Sequence, residues 1–594
     1  MDYSVWPNLT AMVFDQAERL AERPLLWTKR SGTYEAQTWA EIAGQIRALA
    51  AGLRRLGLER GDRVVLVGEN RPEWLVADVA IMAAGGITVP AYTTNTVQDH
   101  SHILTDSGAV GAIVSTPALA KRLLPAAGQC TDCHWVVAME PLGEAADLGG
   151  QGVRVVSWEE ATAPGDDDAA IDPKAAARDD TACFIYTSGT GGAPKGVMLS
   201  HGNILANCVG AYHLLESFGL GEEVFLSFLP LSHSYEHTAG QFFPLSIGAQ
   251  IYYAEGADKL LDNLGEVRPT VMTAVPRLYE AMHGRIRRGV EKQGGLKKKL
   301  FERTVELGLK AAKAPGSLSL FERLQNGLLD KLVREKVGQR FGGRLKGMVS
   351  GGAALNPEIG LFFTALGVPV LQGYGQTEAA PVVSANPPGR AKMHTVGPPL
   401  RGVEVKIAED GEILVRGELV MKGYWRNEEA TAQAIRDGWL HTGDVGEIDE
   451  DGYIAITDRK KDIIVLSGGD NVSPARIEGL LTMEPEVAQA MIIGDKRPHL
   501  AALIVPDAEF LTHWARESGK PNDLAKLVED AELRSAIGAV VERVNERGST
   551  LERIRRFAIA EAPFSVDNEM MTPTLKIRRH KIKEHYGPQL DALY

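Results

Sequence analysis

Hydrophobic and polar positions follow two different rhythms along the chain, and the changes between them outline its architecture. From Gly61 to about Thr190, short β-prone runs (Val64-Val-Leu-Val67, Ile87-Thr-Val89, Val110-Gly-Ala-Ile-Val114) alternate with amphipathic stretches such as Pro72 to Ala84. That alternation predicts parallel strands with covering helices. Further strand-like units follow at 223–228, 250–253 and 270–274. Residues 278–340 lack strand character and are rich in Lys, Arg, Leu and Glu, which predicts helices. Short alternating strands return between Gly397 and Gly417, and Asp449-Glu-Asp-Gly452 marks a hairpin turn. A boundary is expected near Asp458, after the strand Tyr453-Ile-Ala-Ile-Thr457 and before the charge-dense Asp458-Arg-Lys-Lys-Asp462. The expected organisation is therefore a large α/β domain over residues 1–457 and a small α+β domain over 458–594.

Composition narrows the class. With 594 residues, 44% apolar and 24% charged, the chain is ordinary globular material too long for one core. Met1-Asp-Tyr-Ser-Val5 lacks the basic start and apolar run of a secretory signal, and no apolar stretch approaches ~20 residues. Only four cysteines occur. A cytoplasmic setting is the expectation. The net charge of −13 argues against general nucleic-acid binding and means that any polyanion site must gather its cations locally. The basic run Arg285, Arg287, Arg288, Lys292 and Lys297-Lys-Lys299 reads as a solvated helix face, with docking on an anionic membrane surface as the alternative.

Two short motifs carry competing chemistry. Cys130-Thr-Asp-Cys133-His134 matches a haem-attachment pattern, yet it equally well leads into a strand at Trp135-Val-Val-Ala138. His233-Ser-Tyr-Glu-His237 spells an inverted zinc-protease pattern, which needs both histidines on one helix face and a third ligand.

The segment Tyr186-Thr-Ser-Gly-Thr-Gly-Gly-Ala-Pro-Lys-Gly196 is more informative. Apolar β-prone runs flank it (Ala182 to Tyr186, Val197 to Leu199), so it reads as strand–loop–strand. Glycine frees backbone N–H groups to face a polyanion, Thr187, Ser188 and Thr190 supply hydroxyls, and Lys195 supplies a mobile charge. It differs from a P-loop, whose Lys precedes Ser or Thr and opens a helix.

Four further segments stand downstream in order: Gly373-Tyr-Gly-Gln-Thr-Glu378, Gly438-Trp-Leu-His-Thr-Gly-Asp444, Asp458-Arg-Lys-Lys-Asp462 and Thr572-Pro-Thr-Leu-Lys576. Together with the phosphate-loop segment they resemble the adenylate-forming superfamily, which includes acyl-CoA synthetases, luciferases and the adenylation domains of peptide synthetases. The last segment and the helical insertion around 280–340 are most similar to the long-chain fatty acyl-CoA synthetases. The resemblance implies a large domain with a small β-barrel-like subdomain, followed by a mobile C-terminal lid. It implies ATP-dependent conversion of a medium-to-long fatty acid to acyl-AMP, then transfer to CoA, with ATP, Mg2+ and CoA as cofactor and co-substrates. Loading of a carrier protein, activation of an aryl or short-chain acid, and a non-catalytic scaffold stay open as alternatives.

By the same resemblance, Thr187, Ser188, Gly189, Thr190 and Lys195 hold the β and γ phosphates. Gly351, Gly352 and Ala353 of Ser350-Gly-Gly-Ala-Ala354 line the adenine, together with Gln372, Gly373 and Tyr374, the last as a stacking ring. Thr377 donates to the α-phosphate, and Glu378, with Thr187, binds Mg2+. Asp444 accepts from the ribose hydroxyls, Arg459 contacts ribose or phosphate beside the hinge, and Lys576 stabilises the adenylation transition state. His233 and Lys461 join the nucleotide-contacting set, and Gly468-Gly469 rests against the pantetheine arm. Phe242, Phe243 and Thr273 to Pro276 are candidate lining for the acyl chain. The partners implied are small molecules, with no nucleic acid. Peripheral contact with the inner face of a membrane and a homodimer are further expectations.

Overall fold

The computed structural model describes residues 1–150, 152–165, 171–187, 193–256, 259–314, 316–572 and 576–594. Two eight-stranded sheets form the body of the large domain. In the first, the neighbours run Gly423–Tyr424, Lys195–Ser200, Thr181–Thr187, Ile87–Ala91, Arg63–Val67, Ala109–Val114, Trp135–Ala138 and Arg154–Ser157. Its six strands from Thr181–Thr187 to Arg154–Ser157 are parallel. Residues 64–67 are fully buried, as expected of a parallel strand covered on both faces. The second sheet brings Val382–Ala385, Val370–Gly375, Gly347–Ser350, Val271–Ala274, Val224–Ser227, Gln250–Tyr253, Pro24–Arg30 and Thr33–Thr38 side by side.

Covering helices start where the sequence supplies caps. Trp39–Arg55 opens with a Thr38/Glu41 capping box, and His201–Leu215 with a Ser200/Asn203 box. The stretch predicted to be helical contains Pro276–Gln293 and Gly295–Lys313, broken at Gly294 and Gly295, whose φ values are +55° and +57°. Leu320–Leu329 and Glu335–Arg340 complete it.

A small β subdomain is built around the long strand Trp439–Ile448, which pairs with Glu412–Arg416, Ile435–Arg436 and Ile454–Arg459. The last of these runs two residues past the expected end at Thr457. The apolar alternation stops there, but backbone pairing continues through Val445↔Asp458 and Asp444↔Arg459 because the Arg459 charge is met by the cross-strand carboxylate. Beyond it lies an α+β unit with the sheet Val487–Ile493, Leu500–Pro506, Ile554–Ile559. Apolar clusters cover both of its faces, one around Ile537 and Val540, the other around Phe564 and Ile582. Among the described residues, no helix is long and apolar enough to cross a membrane.

Candidate active site

The phosphate-loop strands form the expected antiparallel pair, with Thr187 opposite Lys195 at the open end. Ser188, Gly189 and Thr190 lie outside the described residues. The base of the loop is fixed by the Tyr186 hydroxyl, which donates to Asp106 at 2.6 Å. Gly196 lies under the Tyr186 ring, 3.2 Å from where a Cβ would sit. The Lys195 ammonium stands 5.0 Å from the centre of the Tyr424 ring. Tyr424 in turn donates to Glu378 Oε1 at 2.8 Å. One aromatic side chain thus joins the loop cation to the candidate metal carboxylate.

Tyr424 was not visible as a site residue in the sequence. Its strand is two residues long, Gly423–Tyr424, and pairs with the strand leaving the loop at Met198 and Val197. So brief an element carries no periodic signal. Ser234 was missed for a similar reason: its hydroxyl lies 3.0 Å from that of Thr377, both buried.

Glu378 sits in a single 3-10 turn, Thr377–Ala379, at the end of the strand Val370–Gly375. The Met421 N–H holds its backbone carbonyl at 2.9 Å. On the neighbouring strand, Ser350 is in register with Gln372. The Ser350 hydroxyl and Gln372 Oε1 are both buried without a protein partner. Buried polar atoms are seldom left so, and two on adjacent strands mark a place for a polar ligand. Gly351 is required here because a Cβ would come within 2.9 Å of the Tyr235 ring. Gly352 has φ +81°, and Ala353 is exposed at the turn.

Asp444 is almost wholly buried, and Tyr374 and Arg459 share its carboxylate. The Tyr374 hydroxyl donates to Oδ2 at 2.7 Å, and Arg459 Nε donates to Oδ1 at 2.8 Å. Each oxygen keeps a second lone pair. Gly443 has φ +73°, which turns the strand so that Asp444 faces inward.

Lys576 arrives from the C-terminal unit. Its N–H donates to the Thr572 hydroxyl at 3.0 Å, and its carbonyl accepts from the Thr572 N–H at 2.8 Å. The Lys576 residue is exposed, and charges from both units act on its ammonium. Desolvation lowers its pKa first and the Arg459 guanidinium second, while Asp444 and Glu378 pull it upward. Burial and then the Lys576 charge push the His233 pKa down to about 3, so its imidazole is neutral at any ordinary pH. Its Nδ1 accepts from the Tyr235 N–H at 3.1 Å, which leaves Nε2 as the donor. Contacts between the units include Arg288 to Glu509 at 2.7 Å, Arg277 to the Ala488 carbonyl at 3.4 Å, and Asn356 to the Gly479 carbonyl at 3.4 Å.

Other expected members stand apart. Lys461 is exposed, and Gly468 and Gly469 form the exposed turn of a hairpin between Ile464–Val465 and Asn471–Val472. Among the described residues, none of the three bonds to the Asp444 cluster.

The zinc-like pattern resolves differently from its spelling. Its two histidines do not converge, because His237 is fully buried and bonds Asp78 at 2.8 Å through Nε2. Among the described residues there is no group of three metal-ligating side chains. Glu236 accepts from the Ser227 hydroxyl at 2.6 Å and the Thr273 hydroxyl at 2.5 Å. Cys130 and Cys133 are free and buried before the strand Trp135–Ala138, and burial pushes the Cys133 thiol up to about 12. Neither haem nor zinc fits these partners.

Burial raises Glu236 from 4.5 to about 7 against those two hydroxyl donors. The folded state therefore holds this proton more tightly than the unfolded chain. Stability that is fully present below pH 4.5 is lost as pH rises through 7, by about 3 kcal/mol at most. Glu236→Gln should remove that slope. Urea unfolding at pH 5 and pH 8 should show a larger stability loss on the alkaline side for the wild type than for the variant. Equal slopes would mean that Glu236 is ionised throughout.

Comparison with known proteins agrees with this geometry. Residues 13–425 match the AMP-binding enzyme family, and residues 461–594 match the AMP-binding enzyme C-terminal domain. The long-chain-fatty-acid–CoA ligase FadD15 of Mycobacterium bovis is 35% identical over 600 residues, covering 99% of this chain and 97% of its own. The peroxisomal long chain acyl-CoA synthetase 7 of Arabidopsis thaliana is 33% identical over 610 residues, 97% of this chain and 85% of its own. Among solved structures, the adenylation domain of a Mycobacterium chelonae carboxylate reductase superposes with TM-score 0.77 at 23% identity, over 99% of this chain and 91% of that one. At that identity it speaks for the fold alone.

Proposed function

Because the chain belongs to the AMP-binding enzyme family, we propose that it activates a medium-to-long fatty acid with ATP and passes the acyl group to CoA. The long-chain substrate class is supported by two near-full-length relatives that are both named for it. The observation that carries the reading is the buried Asp444 carboxylate, shared by Tyr374 at 2.7 Å and Arg459 at 2.8 Å, with Lys576 of the C-terminal unit in its electrostatic range.

The first half-reaction brings a carboxylate to the α-phosphate of ATP. Unit charges of like sign ~4 Å apart repel by several kcal/mol at an effective dielectric near 20, so cations and oriented donors must converge there. Lys195 and the Thr187 end of the loop suit the outer phosphates. Thr377, braced by Ser234, and the Nε2–H of neutral His233 are donors without a competing charge. Lys576 adds the charge where it develops in the transition state. The unpartnered Gln372 Oε1 suits an adenine amino group, and the free lone pairs of Asp444 suit the ribose hydroxyls.

A carboxylate and a hydroxyl also suit Mg2+, which is held by few protein oxygens together with substrate phosphates and water. Glu378, with one oxygen steadied by Tyr424, and Thr187 would hold it and so neutralise phosphate charge. In this reading residues 1–457 are the adenylation domain and 458–594 the lid. Lid rotation about Asp458–Arg459 would withdraw Lys576 and bring Lys461 and the Gly468-Gly469 hairpin into play for the second half-reaction. A homodimer and a peripheral position on a membrane belong to the same reading.

The test is palmitate-dependent release of AMP, assayed with free CoA and with candidate carrier proteins as acceptors. AMP release and palmitoyl-CoA formation in equal amounts are expected. AMP without CoA thioester, or thioester only on a carrier protein, overturns the assignment to CoA.

A further inference from the structure

The helix Leu320–Leu329 is oriented opposite to a normal surface helix. It packs inward through polar contacts: Glu322 with Lys310 at 2.8 Å, Gln325 with Arg303 at 3.1 Å, and Asn326 with Arg334 at 2.9 Å. Leu329 is the one residue of this helix that is buried. Its apolar side chains point outward. Leu320, Phe321, Leu324 and Leu328 are 80%, 74%, 77% and 58% exposed, and Leu332 of the following turn is 39% exposed. Spacings of three to four residues place them on one face. An ordinary amphipathic helix turns such a stripe to the core, and contiguous exposed apolar patches mark interaction sites.

Charge indicates what covers this one. Residues 280–340 hold fifteen Lys and Arg against seven Asp and Glu, a net of +8 in a chain whose total is −13. The basic run picked out in the sequence is partly engaged: Arg288 and Lys292 face Glu509, and Lys298 pairs with Glu291. Lys297, Lys299, Lys313, Lys331 and Lys336 are exposed and, among the described residues, form no ion pair. An outward leucine and phenylalanine stripe flanked by unpaired lysines is the composition of a helix that lies in a lipid interface. A second copy of the chain would bring another +8 module against the first if the same faces met.

We propose that this face docks on an anionic lipid bilayer, with the stripe in the headgroup boundary and the lysines on acidic lipid. The proposal extends the reading of the active site, since long-chain acids partition into bilayers, but binding can be measured without any turnover.

The experiment is co-sedimentation of the full chain with vesicles of phosphatidylcholine alone and of phosphatidylcholine with phosphatidylglycerol, for the wild type and the Leu324→Glu/Leu328→Glu double variant. Both positions are exposed, so the variant should melt with the wild type and activate water-soluble octanoate at the wild-type rate. Wild-type binding to the anionic vesicles, weakened by salt and reduced at least tenfold in the variant, is the expected result. Equal binding by both proteins overturns the proposal, as does no binding by the wild type. Light scattering that shows a wild-type dimer dissolved by the substitutions, with vesicle binding unchanged, assigns the face to self-association instead. A failure of octanoate activation in both proteins would count against the proposed activity and leave the vesicle result to be read by itself.

Discussion

Lys576→Ala should lower palmitate-dependent pyrophosphate–ATP exchange by about a hundred- to a thousandfold, the usual effect of removing one preorganised electrostatic group from a transition state. The Michaelis constant for ATP should change only a few-fold. Lys576 is exposed, and its backbone bonds to Thr572 do not involve the ammonium. The substitution therefore removes a charge without opening a core. Desolvation and then Arg459 depress its pKa while Asp444 and Glu378 raise it, so this ammonium already sits in a mixed field that an incoming polyanion would tip in favour of the charged form. An interaction made chiefly in the transition state appears in turnover and not in ground-state affinity. Transfer from preformed palmitoyl-AMP to CoA should proceed at close to the wild-type rate. Unchanged exchange in the variant would show that another group carries the transition-state charge.

Asp444→Asn is expected to act on the other side of that distinction. The carboxylate is buried, accepts from Tyr374 and Arg459, and in the proposed complex also accepts from two ribose hydroxyls. The amide keeps the shape but presents N–H to a donor on one side, either Arg459 or Tyr374. Hydrogen bonds to a charged partner contribute roughly 1.5–3 kcal/mol each, so ATP affinity should fall by about ten- to a hundredfold or more. Arg459 remains almost half exposed, with 44% of its side-chain surface open to solvent, so losing its partner should cost little folding stability. The prediction is a large rise in the ATP Michaelis constant with a small shift in melting temperature. Calorimetric ATP binding read beside thermal melting separates the two. A large melting shift with unchanged ATP affinity would make Asp444 a structural anchor for Arg459 only.

Much of the framework was legible because local signals and tertiary need coincide. The apolar runs at 64–67 and 110–114 are continuous because their strands are covered on both faces, and they occupy the interior of a parallel sheet. The phosphate-loop strands and the turn at Asp449 to Gly452 were readable from Gly, Ser, Thr and Asp placed between β-prone runs. The site's connecting pieces were not readable. Tyr424 joins Lys195 to Glu378 from a two-residue strand more than 200 residues from the loop. Ser234 meets Thr377 across a sequence separation of 143 residues. Pairings of that kind are decided by chain topology, and no periodicity records them. The outward leucines of Leu320–Leu329 illustrate the converse. The helical character of 278–340 was visible, but which face turns to the protein depended on Lys310, Arg303 and Arg334 supplying polar partners on the inner side. His233-Ser-Tyr-Glu-His237 misleads for the same reason, since the partner that fixes His237 is Asp78, far away in sequence.

The central claim is that polar groups from both units close on one nucleotide. It is tested most directly by a crystal structure with a non-hydrolysable palmitoyl-AMP analogue bound. The account predicts both ribose hydroxyls within about 2.6–3.2 Å of the Asp444 carboxylate, the adenine amine on Gln372 Oε1, and Lys576 at the bridge between acyl and phosphate. An analogue found in another cleft, with Asp444 shared only by Tyr374 and Arg459 and Gln372 still unpartnered, would contradict it.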